Sequence, residues 1–213
     1  AADLIADKVV LVSGIPATKA ATQVDAQTSI TLKDQGDQYV SRGGFKINGA
    51  LEYFSDISVS EKVVLDAGAS TGGFTDVLLR RDAKRVYAVD VGYGQLAWEL
   101  QSNPKVKVLD RINIRNISPQ LIDEPVDLVV ADLSFISLKL VLPALKSVAK
   151  PTADFLLMVK PQFEVGKDNL GAGGVVREES LRKAAVLDVA SHAFSLGLGC
   201  LGVAVSYTHL TLP

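Results

Sequence analysis

The sequence is poor in several residue types, and each shortage excludes a class of protein. A single cysteine, Cys200, excludes an internal disulfide framework and suits a reducing compartment. The formal net charge is only −2 at pH 7, so no overall positive field marks the chain as a nucleic-acid binder. No apolar run reaches the roughly 18 uninterrupted residues that a membrane-spanning helix needs. We therefore expect a cytoplasmic protein without a membrane partner.

What is abundant indicates an ordinary globular fold. Hydrophobic residues make up 48% of the 213 residues and charged residues 22%, which suits one domain with a small appendage. Short apolar stretches separated by turn residues predict a small β-rich unit in residues 1–37, with strands in 8–14, 18–24 and 29–32. Because the chain opens without methionine and its last residues, 207–213, read as a non-native tail, we expect both native ends to be missing.

The main domain, residues 38–206, alternates helix and strand patterns. Apolar residues at helical spacing predict an amphipathic helix over 41–54, with Lys46 at the flank of its buried stripe. Five apolar strands follow, at 62–65, 85–89, 106–109, 126–131 and 155–159. Helices are predicted between and after them at 74–81, 95–101, 138–149 and 178–196, with a further strand at 201–205. Such alternation predicts a doubly wound, mostly parallel sheet covered on both faces.

A glycine turn between the first two of these strands is the strongest local signal. The sequence Val-Val-Leu-Asp-Ala-Gly-Ala-Ser-Thr-Gly-Gly-Phe occupies 63–74, and the next strand ends at Asp90. Glycines here let backbone approach a ligand closely, and an acid about 20 residues on can accept hydrogen bonds from ribose hydroxyls. The spacing differs from the dinucleotide pattern Gly-x-Gly-x-x-Gly. It therefore favours a nucleoside ligand without phosphate, such as S-adenosylmethionine.

Charged residues end all five strands, where ligands bind in open α/β sheets. These residues are Asp66, Asp90, Asp110, Asp132 and Lys160. Packing alone does not explain five such ends, since a charge buried under loops must be desolvated. Asp132 beside Lys160 would hold the amine in place, while Lys46 could supply a second cation that favours use of the amine as a base.

Five motifs together carry a resemblance to a known family. They are Tyr-Val-Ser-Arg-Gly-Gly-Phe-Lys at 39–46, Leu-Asp-Ala-Gly-Ala-Ser-Thr-Gly-Gly-Phe at 65–74, Val-Asp-Val-Gly-Tyr-Gly-Gln-Leu at 89–96, Ala-Asp-Leu-Ser-Phe-Ile-Ser at 131–137 and Val-Lys-Pro-Gln-Phe-Glu at 159–164. In this order they resemble the TlyA (haemolysin A) family of rRNA 2′-O-methyltransferases, which have an FtsJ-like domain. The resemblance implies a Rossmann-like methyltransferase fold, preceded in residues 1–37 by part of a small alpha-L RNA-binding domain.

The resemblance also implies a catalytic set. Lys46, Asp132 and Lys160 match three members of the family's Lys-Asp-Lys-Glu tetrad. The fourth, a glutamate in a Gly-Asn-x-Glu-like segment, is expected beyond the end of this chain, since Glu164 lies in a different motif. The implied substrate is a cytidine of small- or large-subunit ribosomal RNA, within ribosomal subunits, without a metal ion.

We expect S-adenosylmethionine to contact the glycine turn and the strand ends. The expected cofactor-binding residues are Asp66, Gly68, Ser70, Thr71, Gly72, Gly73, Phe74, Asp90, Val91, Asp110, Ile112, Asn113 and Asp132. Arg42 and Lys46 are expected to contact RNA.

Three alternatives remain open on the sequence. A nicotinamide-dependent oxidoreductase would share the glycine turn and Asp90, although the dinucleotide spacing is missing. A membrane-active haemolysin is suggested only by the family's older name. A catalytically silent RNA-binding or ribosome-assembly protein stays open because the given sequence ends before the position of the fourth tetrad residue.

Overall fold

The computed structural model describes residues 5, 9–25, 27–32, 39–166 and 169–206. The chain divides into two compact units, Ala1–Gln38 and Tyr39–Pro213. The tail expected at 207–213 lies outside the described residues.

The first unit contains a three-stranded antiparallel sheet. Strands β1 (Val10–Val12), β2 (Ile15–Pro16) and β3 (Ile30–Leu32) are ordered β2-β1-β3. Ser13 and Gly14 both have positive φ, 51° and 81°, as a two-residue turn matched to strand twist requires. The prediction of a strand at 18–24 is wrong. That segment is exposed and bends where the Thr22 hydroxyl donates to the Lys19 carbonyl, so it has no apolar face to pack.

The second unit alternates helices and strands as predicted. Its elements are α1 (Gly43–Tyr53), β4 (Val63–Ala67), α2 (Gly73–Arg80), β5 (Arg85–Val89), α3 (Trp98–Gln101), β6 (Val106–Leu109), β7 (Val126–Ala131), α4 (Leu142–Ser147), β8 (Ala149–Leu157) and α5 (Glu179–Ser195). Short 3-10 helices lie at Ile114–Asn116, Leu138–Leu140, Pro161–Phe163 and Ala172–Gly174.

The second unit's sheet is parallel throughout and has the order β6-β5-β4-β7-β8. Successive residues of β4 face opposite sides: Val64 packs in one apolar cluster with α1 and α2, and Leu65 in another with α4 and α5. Helices therefore cover both faces, which confirms the predicted doubly wound fold. From β4 the chain adds β5 and β6 on one side of the sheet and then β7 and β8 on the other side. Such a sheet binds ligands in the crevice at the carboxyl ends of the two strands where this change of side occurs, here β4 and β7.

Two elements differ from their predicted form. The helix expected at 138–149 is a 3-10 turn followed by the short helix α4, which has Pro143 in its first turn, and β8 begins at once at Ala149. The strand expected at 201–205 is absent from residues 201–206. Its leading residue, Leu201, is 85% exposed, because among the described residues no neighbouring strand pairs with this segment.

Helices α1 and α2 meet through their first turns. A Cβ atom added to Gly73 would lie 2.8 Å from the Gly44 nitrogen and would also collide with the Ser41 hydroxyl. Backbone-to-backbone contact of this kind is available only to glycine. It fixes the path of α1, which carries Lys46, relative to the helix that follows the glycine turn.

We predict that Gly73→Ala lowers the free energy of unfolding by about 1–3 kcal/mol, because the added methyl must push α1 away from α2. Gly49→Ala on α1 is the matched control, since nothing lies within 4 Å of its added Cβ. That control should raise stability by about 0.5–1 kcal/mol through helix propensity. Urea denaturation of both variants measures the contrast, and equal effects of the two changes would contradict the close-contact interpretation.

Candidate active site

The glycine turn lies at the crevice between β4 and β7 and is shaped by contacts within the protein. Gly68 and Gly72 have positive φ, 84° and 101°, and so does Ser70 at 49°. A Cβ on Gly68 would lie 3.2 Å from the Asp132 carbonyl oxygen, and one on Gly72 would lie 2.8 Å from the Leu96 side chain. The glycines were expected to admit a ligand. In the structure the room they leave at Gly68, Gly72 and Gly73 is taken by neighbouring protein atoms.

Asp90 connects this turn to the loop after β5. Its carboxylate accepts hydrogen bonds from the Ser70 backbone N–H at 2.9 Å and from the Gly92 N–H at 2.7 Å. A carboxylate has about four acceptor positions, so two remain for hydroxyl groups of a ribose. The exposed Ser70 and Thr71 lie at the tip of the same turn.

The loops after β5 and β6 form the rim beside Asp90. The Ile112 N–H donates to the Asp90 carbonyl, and Val91 is 68% exposed, which leaves apolar surface next to the acid. Asp110 accepts from the Gly94 N–H, and Asn113 accepts from the Arg115 N–H, so both side chains hold loop backbone. A nucleoside with its ribose at Asp90 fits this combination of acceptor and apolar surface.

Asp66 occupies a different position from the one expected. It lies within β4, is completely buried, and accepts a hydrogen bond of 2.6 Å from the Thr75 hydroxyl of α2. Its other carboxylate oxygen has no hydrogen-bond partner. The carboxylate therefore presents no surface to a ligand from solvent in this conformation. Burial raises the pKa of Asp66 to about 7. The hydrogen bond from Thr75 opposes this rise, and the negative charges of Asp132 and Asp90 add to it.

Three charged side chains from distant parts of the chain meet at the end of β7. Lys46 Nζ lies 2.8 Å from one carboxylate oxygen of Asp132, and Lys160 Nζ lies 2.7 Å from the other. The side chains of Lys46, Asp132 and Lys160 are 11%, 16% and 19% exposed. Desolvation raises the pKa of Asp132, but the contacts with Lys160 and Lys46 outweigh it, and the pKa lies below its ordinary value. Asp132 therefore stays ionised between two amines.

Each member of this cluster is positioned by a different element. Lys46 is one residue before the buried Ile47 on α1, Asp132 directly follows β7, and Lys160 comes three residues after the end of β8. Lys160 also donates a hydrogen bond of 2.9 Å to the Ser134 hydroxyl.

Two features of the cluster's surroundings escape sequence reasoning. Phe135 follows the Asp-Leu-Ser segment with positive φ and is 92% exposed, with its ring centroid 5.3 Å from that of Phe163. Glu164 accepts hydrogen bonds from the Ser137 hydroxyl at 2.5 Å and the Leu138 N–H at 2.8 Å. It thereby ties the loop that carries Asp132 to the loop that carries Lys160. The one signal that the sequence offers for the exposed aromatic pair is that Phe135 and Phe163 stand in the same motifs as Asp132 and Lys160.

Arg42 precedes α1 as its N-terminal flanking residue and is exposed. It lies four residues, about one helical turn, before Lys46, so both cations belong to the same side of the helix.

The described part of the chain offers neither a cluster of metal-ligating side chains nor a membrane-spanning helix. There, no three His, Cys, Asp or Glu side chains are grouped so that they could hold a metal ion. No helix within these same ranges has the length and apolarity needed to cross a membrane.

The fold and the site define a Rossmann-like enzyme of the methyltransferase class. The FtsJ-like methyltransferase family matches residues 39–209. A curated relative from Mycobacterium tuberculosis, named 16S/23S rRNA (cytidine-2′-O)-methyltransferase TlyA, is 53% identical over 97% of this chain and 77% of its own length. Hemolysin A of Brachyspira hyodysenteriae is 37% identical over 86% of this chain and 76% of its own.

Solved structures agree with this relationship. A candidate hemolysin from Streptococcus thermophilus is 37% identical, covers 94% of this chain and 74% of that one, and superposes with a TM-score of 0.78. The chain therefore belongs to the TlyA (haemolysin A) family of FtsJ-like methyltransferases. The alternative of a nicotinamide-dependent oxidoreductase is excluded by this membership.

We predict that Asp66 makes the protein less stable as pH rises from about 4 to about 7. In that range the unfolded chain has already released the Asp66 proton, whereas the folded chain, with its pKa near 7, retains it. The unfolded state then binds fewer protons, so the free energy of unfolding falls with rising pH, by about 1.4 kcal/mol per unit of pKa difference. The decline should level off above the folded pKa.

Thermal melts of the protein and of Asp66→Asn between about pH 5 and about pH 8 measure this slope. The amide does not titrate, so the variant should lose much of the decline. Asp56→Asn, at an exposed position, is the matched control and should keep it. Parallel curves for Asp66→Asn and the unchanged protein would show that Asp66 is not the responsible group.

Proposed function

We propose that this protein transfers a methyl group from S-adenosylmethionine to a ribose 2′-hydroxyl of ribosomal RNA. The observation that carries the proposal is the contact of Lys46 and Lys160 with the two oxygens of Asp132, at the same sheet edge as the glycine turn. The name of the 53% identical relative supports cytidine as the nucleotide and both ribosomal subunits as the setting. A cytoplasmic location follows from that substrate.

S-adenosylmethionine supplies an electrophilic methyl group on a sulfonium centre. The residues that would hold it are the turn 68–74, with Ser70 and Thr71 at its tip, and Asp90 at the ribose. Val91 and Ile112 would flank the adenine, with Asp110 and Asn113 supporting the loops around it. The end of β7, where Asp132 begins the next loop, would lie toward the reacting methyl.

The chain's own residues then have to orient the hydroxyl and take its proton. Lys160 would accept the 2′-hydroxyl proton as the oxygen forms its bond to the methyl carbon, while the bond from that carbon to the sulfonium sulfur breaks and the sulfur leaves as a neutral thioether. Asp132 holds the amine in place through its 2.7 Å contact. Lys46, on the other oxygen of the same carboxylate, provides a positive charge for the ribose oxygen or an adjacent phosphate. Orientation of this kind contributes up to about 7–11 kcal/mol in the best intramolecular reactions.

RNA would reach the site across the surface that contains Arg42 and Phe135. Arg42 is an exposed cation one helical turn from Lys46, suited to a phosphate. Phe135 offers a ring that is 92% exposed, and exposed aromatic rings stack with unpaired bases. The small first unit would add contacts as part of an RNA-binding domain.

We expect Lys160→Ala to reduce methyl transfer by about 100-fold or more, as the loss of a general base does. The measurement is incorporation of radiolabelled methyl into isolated ribosomal subunits and naked rRNA, followed by mapping of the 2′-O-methylated nucleotide. Lys84→Ala is the matched control, because its side chain is 56% exposed and it precedes β5 at the opposite edge of the sheet.

Two outcomes would contradict the proposal. Transfer by Lys160→Ala at the unchanged rate would remove Lys160 from the mechanism. RNA binding without any methyl transfer by the unchanged protein would favour the silent RNA-binding alternative.

We predict that Arg42→Ala and Phe135→Ala both raise KM for RNA but differ in salt dependence. Loss of one phosphate contact should reduce the slope of log affinity against log salt by about 1, whereas loss of a stacking ring, worth about 1–3 kcal/mol, should leave that slope unchanged. Fluorescence anisotropy with an rRNA fragment over a series of salt concentrations separates the two effects. An unchanged slope in Arg42→Ala would mean that Arg42 does not contact phosphate.

A further inference from the structure

Ser134 makes a contact in the site that neither the motifs nor the family comparison accounts for. We propose that Ser134 is a positioning residue for Lys160, which sets the direction in which the amine meets the ribose hydroxyl. This inference rests on the proposed methyl transfer. Ser134 lies two residues after Asp132, in the loop between β7 and the 3-10 helix Leu138–Leu140.

The geometry at the amine carries the argument. Lys160 Nζ lies 2.7 Å from an Asp132 oxygen and donates to the Ser134 hydroxyl at 2.9 Å. A lysine amine has four tetrahedral positions, one of them taken by its own carbon, and three available to hydrogens or a lone pair. Ser134 occupies one of the three through its hydrogen bond. Asp132 Oδ1 adds an ionic contact at 2.7 Å that does not have hydrogen-bond geometry, so the amine cannot turn away from the substrate hydroxyl without breaking the Ser134 hydrogen bond or lengthening this ion pair.

Asp132 alone would not achieve this. With a single contact, the amine could rotate about its terminal carbon–nitrogen bond and about the line to the carboxylate, and the flexible lysine stem would add further freedom. A second acceptor removes that freedom. Because a serine hydroxyl is uncharged, it does so without adding a further negative charge to the site.

The loop that carries Ser134 is held in place by the segment that follows β8. Glu164 binds the Ser137 hydroxyl and the Leu138 N–H, and Phe135 takes up a positive φ of 63° between them and Ser134. Bulky non-glycine residues rarely adopt this conformation, and surrounding contacts are needed to hold them in it. Glu164 itself follows Lys160 by four residues. The segment that carries the amine therefore also holds the loop that supplies the amine's second acceptor.

The test compares Ser134→Ala with Ser134→Thr. The alanine variant should lower kcat for rRNA methylation by about 10-fold, since a misdirected catalytic group costs up to about 100-fold. Its KM for RNA and its affinity for S-adenosylhomocysteine should stay within about 2-fold, because the proposed role of Ser134 is to direct the amine and not to bind either molecule. Threonine keeps the hydroxyl and should restore kcat to within about 3-fold of the unchanged protein.

Ser147→Ala is the control for a serine-to-alanine change elsewhere, since its exposed hydroxyl bonds only to the Ala144 carbonyl at the end of α4. It should leave kcat unchanged. An alanine variant at Ser134 with full kcat would overturn the inference, and so would an equal loss of kcat in alanine and threonine variants. A protein in which neither the unchanged chain nor any variant transfers methyl, although all bind RNA, would instead refute the proposed function.

Discussion

The site depends on one partly buried carboxylate that is shared by two amines. Asp132 can remain ionised at 16% exposure because Lys46 and Lys160 each approach one of its oxygens within 2.8 Å. Removal of either lysine would leave a partly buried charge with weaker compensation, which is costly. Since the two lysines come from α1 and from the segment after β8, this single ion cluster requires the correct path of helix, sheet and loops at once.

The second constraint on the site is close packing at glycine positions, where no side chain separates neighbouring segments. Gly73 allows the first turns of α1 and α2 to touch through backbone atoms, and Gly68 brings the turn against the carbonyl of Asp132. The same turn is tied to β5 through the hydrogen bond from the Ser70 N–H to Asp90. The proposed cofactor residues and the proposed catalytic residues are therefore joined by packing and hydrogen bonds at one edge of the sheet, which suits a reaction that depends on alignment.

Much of this arrangement follows from patterns in the chain. Alternating strand and helix periodicity predicted the parallel sheet, and the rule that ligands bind beyond strand ends placed Asp90, Asp132 and Lys160 at one edge. The predicted strand at 201–205 was wrong because alternation of apolar residues says nothing about whether a partner strand is present. Spacing alone also does not reveal that Gly73 is approached by the backbone of α1, whereas the ligand contacts expected of the turn remain a prediction.

The sequence by itself determined the fold class, the order of the elements and the identity of the residues at the strand ends, because these depend on local periodicity and on topology rules. Only the tertiary structure decided which groups touch. In the structure Asp66 is buried against Thr75, Lys160 donates a hydrogen bond to Ser134, and Phe135, the residue after Ser134, is exposed. Such contacts are set by side-chain direction and by packing between residues far apart in the chain, and neither is encoded in the spacing of any one motif.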